Sequence, residues 1–202
     1  MQNQTMSALS VKTPPLLLDN ERLRQCMRER ENWQPADYRP AVIDHLLKPA
    51  AAAALAALQP ASGDGVWPQQ AWPDLLRQLH WELCSSTNLR PLAKIMNKAA
   101  LLPDPFVACG GMWATDAAMP VSPPQHPVTQ LFAVLRMDVV LSGHVVATVA
   151  GIPAANLSAG DVILTDADAA IAMTADVPAA ILWTAFFYSP DPCCCRQRME
   201  NS

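Results

Sequence analysis

The stretch LFAVLRMDVVL, residues 131–141, decides the fold. Its length and its Val, Leu and Phe content mark a β-strand, and strand geometry puts Arg136 and Asp138, two residues apart, on the same side. Segments of the same kind follow: HVVATVAG (144–151), DVILT (161–165), AAIAM (169–173) and AAILWTAFFY (179–188). Turn signals SG, SAGD and DAD separate them, so residues from about 105 to 190 are expected to form a module of short strands.

Upstream the texture is helical. Asp19 and Asn20 precede ERLRQCMRERE, where Leu23, Cys26 and Met27 recur at helical spacing behind a good N-cap. AVIDHLL (41–47) reads as a short strand, and Pro49 then opens an alanine-rich helix. DLLRQLHWEL (74–83) places Leu75, Leu76, Leu79 and Leu83 on one helical face. A further helix, capped by Thr87 or Asn88, is expected to carry Leu92, Ile95, Met96, Ala99 and Ala100 at the same period. Strands after a helical block predict an α+β sandwich or barrel with N-terminal helices packed on one side. The division expected is an N-terminal extension with a short helix (1–36), one domain (37–190) and a Cys-rich tail (191–202).

Composition narrows the partners. Between Lys98 and Arg196 the only Lys or Arg is Arg136, and the chain's net charge is −4, so it cannot release many phosphate counterions; no nucleic acid is expected. No apolar run of about 18 residues suggests a membrane span, and no basic start with a long apolar stretch suggests a signal peptide. Three of the six cysteines, Cys193, Cys194 and Cys195, are contiguous, a pattern that fits a reducing compartment. The expected location is the cytoplasm. Charged residues are 16% of the chain and hydrophobic ones 51%, where about a quarter charged is usual. An interface with another protein, or a homo-oligomer, would account for that balance.

The order of the pieces also carries a resemblance. RPAVIDHLLKPAAAAALAALQP (39–60), LLPDPFVACGGMWAT (101–115), and AGDVILTDADAAIAM (159–173) followed by ILWTAFFYSPDP (181–192) resemble segments of the prolyl-hydroxylase-like family of Fe(II)/2-oxoglutarate oxygenases. The resemblance implies a double-stranded β-helix, the jelly-roll or cupin-like barrel, with Fe(II) and 2-oxoglutarate as cofactors. It also implies a His-x-Asp pair and a distal histidine as iron ligands. Laid on this chain, the pair falls near Pro124, Gln125 and His126, the distal histidine near Ala172, and the arginine that anchors 2-oxoglutarate near Ala180. No His-x-Asp pair occurs in the sequence, and no histidine follows His144.

The expected function is therefore that of a catalytically degenerate oxygenase-like protein, a pseudoenzyme acting as a binding or partner subunit; a small carboxylate ligand and a place in a biosynthetic pathway fit that reading. No cofactor is expected on that reading. The alternative is an active Fe(II)/2-oxoglutarate-dependent hydroxylase of an amino acid or peptide, drawing metal ligands from His126, His144, Asp166 and Asp168. A cupin-like binder is a third reading. Arg136 is the ligand-binding candidate: facing inward it could hold a carboxylate, and facing outward it would pair with Asp138 as a surface ion pair. Trp67, Trp72 and Trp81 offer either a lid or partner surface, or core packing for at least two of them.

Overall fold

The structure, a computed structural model, describes residues 14–30, 40–58, 72–104, 111–115, 133–175 and 180–190. Within them lie four helices and nine strands: α1 (Asn20–Glu29), β1 (Ala41–Ile43), α2 (Pro49–Ala56), α3 (Asp74–Leu83), α4 (Ser86–Ile95), β2 (Leu102–Pro103), β3 (Gly111–Thr115), β4 (Ala133–Ser142), β5 (His144–Val149), β6 (Ile152–Ser158), β7 (Val162–Asp166), β8 (Ile171–Ala175) and β9 (Ala180–Tyr188). No described helix is long and apolar enough to cross a membrane.

Local sequence explains most of the boundaries. The Asp19 carboxylate accepts from the backbone N–H groups of Glu21 and Arg22 and starts α1, while Pro49 starts α2 without needing an N–H. Helix α4 begins earlier than its sequence suggested: Ser85, not Thr87 or Asn88, holds the N-cap position. Asn88 lies inside that helix, buried, with its amide donating to the Glu82 carbonyl. The helix also ends at Ile95, before Ala99 and Ala100.

Among the described residues all strand pairs are antiparallel, in two sheets. The larger runs β1-β7-β4-β9-β2, with β3 also pairing β9, and the smaller runs β6-β5-β8. Gly143 alone carries the chain from β4 in the first sheet to β5 in the second. Its φ of +79° suits glycine, and a Cβ there would stand 3.0 Å from Ala180 Cα. Strand β6, IPAANLS, escaped the sequence reading because Pro153 and Asn156 interrupt any alternation. It forms because Ala150 and Gly151, both at positive φ, make the two-residue turn that folds it back on β5.

The larger sheet has two different faces. Leu135, Met137, Val139 and Leu141 of β4, with Trp183 and Phe187 of β9, share a core with Leu23, Leu55, Leu76, Leu79 and Leu92 from the helices. Each such side chain contributes about 1.5–3 kcal/mol on burial. The opposite face looks toward the smaller sheet: Trp113, Val140, Ile163 and Leu182 pack against Val145, Ala147, Leu157 and Met173. Two sheets thus enclose an interior, and helices cover the outer side of the larger one.

Candidate functional site

Strand alternation places Arg136, Asp138 and Val140 of β4 on the interior face, because Leu135, Met137 and Val139 belong to the helix side. Arg136 and Asp138 are both 0% exposed. The guanidinium donates from Nε to Asp138 Oδ2 at 2.8 Å and from Nη2 to Oδ1 at 2.9 Å, a two-pronged ion pair. Facing Asp138 across the ladder is Thr184 of β9, whose hydroxyl donates to Oδ1 at 2.5 Å. Thr184 in turn accepts from the Trp113 indole N–H at 2.8 Å. Phe186, the β9 neighbour of Arg136, brings its ring centroid to 5.8 Å from the guanidinium carbon.

This arrangement combines two outcomes the sequence held apart. Arg136 does pair with Asp138, as alternation allows, yet the pair is buried between the sheets and not displayed on the surface. Two polar atoms beside it have no hydrogen-bond partner among the described residues: Nη1 of Arg136 and Oγ1 of Thr165, on cross-strand neighbours of β4 and β7. Farther along the interior the side chains turn apolar, with Ile171, Met173 and Ala175 from β8 and Ala180 and Leu182 from β9. Of the positions matched to a distal histidine and a co-substrate arginine, Ala180 lies in this apolar part, while Ala172 alternates with the inward Ile171 and Met173 and faces the other way.

The metal-ligand candidates are not brought together. His144 opens β5 on the side away from the buried Val145 and Ala147; it is exposed and contacts Ser158 Oγ through Nδ1 at 3.2 Å. Asp166 ends β7 and takes the Lys98 ammonium at 2.6 Å. Asp168 is exposed in the turn that follows. His126 lies outside the described residues, as do Trp67 and Cys193 to Cys195. Among the described residues, no three His, Cys, Asp or Glu side chains converge to hold a metal ion.

Sequence reasoning missed Thr184, Trp113 and Thr165. The signal for Thr184 was present: it is the polar residue in an otherwise apolar strand, on the same face as Leu182 and Phe186. Also missed was the chain's one His-x-Glu, His80 and Glu82, which is not a strand motif. It lies on α3, where Glu82 accepts from the backbone N–H groups of Leu17, at 3.0 and 2.9 Å, and of Leu18, at 3.0 Å.

His80 belongs to a second cluster, on the helix side. Its ring sits edge-on to Trp72 and Trp183, with centroids 5.5 and 5.8 Å away, and the two indoles are 6.4 Å apart. Rings this close fill the space among themselves. Burial holds the imidazole below its usual value, partly opposed by Asp104, and burial pushes the Cys84 thiol, 3.7 Å from His80 Nε2, up to about 12. A thiol so held is a poor nucleophile. Of the tryptophans flagged by sequence, Trp72 is buried and Trp81 is 77% exposed.

No family model and no curated protein matches the sequence. Solved structures do. The non-heme alpha-ketoglutarate-dependent epimerase SnoN from nogalamycin biosynthesis superposes with a TM-score of 0.52 at 15% identity, covering 85% of this chain and 87% of SnoN. An oxidoreductase of the 2OG-Fe(II) oxygenase family from Burkholderia pseudomallei gives 0.53 at 12% identity, covering 82% and 90%. A prolyl 4-hydroxylase from Phytophthora capsici gives 0.53 at 14%, covering 90% and 69%. The fold is similar to that of the 2OG-Fe(II) oxygenases. At these identities the likeness is one of fold alone.

Proposed function

We propose that this chain forms a double-stranded β-helix and uses it to bind, without iron and 2-oxoglutarate chemistry, as a ligand-binding module or a partner subunit. The observation that carries this reading is the interior carboxylate. An iron(II) centre of this class needs three donors on one face of the metal. Asp138, the acid that the described strands turn inward, is already taken by two guanidinium N–H groups and a hydroxyl. To bind a metal it would have to leave Arg136 as an unpaired buried cation, at a cost of several kcal/mol. The described residues therefore do not fit an iron site, and the apolar faces of β8 and β9 add no donor. The missing His-x-Asp pair agrees with this.

The test is an anaerobic titration of the full chain with Fe(II) and 2-oxoglutarate, monitored for the visible charge-transfer band of a keto acid chelated to bound iron. No band and no retained iron after gel filtration is the expected result. A band at stoichiometric iron overturns the proposal and returns His126, His144, Asp166 and Asp168 to consideration as ligands.

A further inference from the structure

The interior network is unequal on its two sides. Toward β9 the side-chain hydrogen bonds run on without a break: Asp138 receives Nε and Nη2 of Arg136 and the Thr184 hydroxyl, and Thr184 receives the Trp113 indole. Toward β7 two atoms are left over, Arg136 Nη1 and Thr165 Oγ1. Their residues are both 0% exposed and stand directly opposite each other in the β4–β7 ladder, and side chains so placed reach the same space. A buried polar group without a partner is unfavourable, and most native proteins avoid it. Here a guanidinium N–H and a hydroxyl on cross-strand neighbours have no hydrogen-bond partner among the described residues, and one of them belongs to a charged group.

We infer that these two atoms form a binding site for the carbonyl oxygen of an uncharged ligand, an amide or a ketone. The inference rests on the reading that the interior binds and does not react. Charge selects the ligand class. Arg136 and Asp138 together sum to zero, and the guanidinium already has its carboxylate. A second carboxylate would bring a negative charge into a buried place with no cation left to match it. A neutral carbonyl brings two lone pairs, one for Nη1–H and one for the Thr165 hydroxyl. Phe186 of β9 sits against the guanidinium at 5.8 Å, and Thr165 of β7 is the cross-strand neighbour that would share the ligand's carbonyl with Arg136. The site thereby selects against the carboxylate ligand that an isolated Arg136 would suggest.

The experiment uses the full ¹⁵N-labelled chain and reads the indole N–H resonance of Trp113, assigned by Trp113→Phe, because that N–H reaches Asp138 through Thr184. Acetamide and acetate, alike in shape and different in charge, are titrated separately. Acetamide is expected to move the resonance saturably while acetate at equal concentration leaves it in place. Thr165→Val removes the hydroxyl and keeps the shape, and is expected to weaken acetamide about fivefold, the equivalent of one lost hydrogen bond. An acetate shift as large as that of acetamide overturns the uncharged class, and no saturable shift with either probe overturns the site. An acetamide affinity unchanged in Thr165→Val, with the Trp113 resonance intact, also overturns it. Adding Fe(II) and 2-oxoglutarate to the same sample separates the two claims. A charge-transfer band defeats the non-catalytic reading whatever acetamide does, whereas silence from both acetamide and iron defeats the carbonyl site alone.

Discussion

The two faces of β4 and β9 are built from the same strands and held by different physics. Toward the helices, Leu135, Met137, Trp183 and Phe187 contribute by filling volume, and each acts nearly independently of its neighbour's chemistry. Toward the smaller sheet, Arg136, Asp138, Thr184 and Trp113 depend on one another, because each satisfies a polar atom that would otherwise be buried bare. Substitution on the first face is a matter of size. On the second it is a matter of pairing.

The largest expected effect breaks the pairing. Asp138→Leu leaves a buried, unmatched guanidinium and should cost about 3–5 kcal/mol in urea denaturation. Arg136→Met with Asp138→Leu should recover most of that loss, as no truncation on the helix face could be rescued by removing its neighbour. If the double variant is no more stable than the single, the interior is held by volume after all. Thr184→Val should follow at about 1–3 kcal/mol, since it strips a donor from Asp138 and an acceptor from Trp113 together.

A smaller effect sharpens the contrast from the helix side, where the half-buried His80 titrates. Burial holds its folded value below the ordinary 6.5, so the unfolded chain binds the proton more readily. Its contribution is complete above pH 6.5 and is lost as pH falls from 6.5 through the lowered folded value. In His80→Phe the dependence of melting temperature on pH below 6.5 should flatten, while Thr184→Val keeps the slope of the parent. The smallest effect has the opposite sign. Thr165→Val, by removing a hydroxyl with no partner, should raise stability by up to about 1 kcal/mol in the absence of ligand.

Much of this fold was legible because alternation and length speak clearly in β4, β7, β8 and β9, and because Asp19 and Pro49 are strong helix starts. The side shared by Arg136 and Asp138 was legible for the same reason. That this side is interior was not, since an Arg and an Asp two apart serve equally well on an exposed face. Strand β6 was hidden because its hydrogen bonds depend on the Ala150–Gly151 turn and its own side chains are mostly exposed. The start of α4 was hidden because Ser85, Ser86, Thr87 and Asn88 are all good caps. Hydrogen bonds from the Ser85 hydroxyl and the Asn88 amide to the Glu82 carbonyl selected among them. The unpaired Nη1 and Oγ1 had no sequence signal, because they arise from the register that sets Thr165 opposite Arg136.

The Asp161 carboxylate receives the backbone N–H of His45 from 116 residues upstream, and the Gly160 carbonyl beside it receives Leu47 N–H. Among the described strands, β1 likewise pairs with β7 alone. A ribosome adding about 5–20 residues per second would keep that corner waiting for roughly 6–23 s. Synthesis from the N-terminus therefore makes the first strand early and seats it late, and whatever shields Ala41 to Ile43 in the interval belongs to the history of the nascent chain.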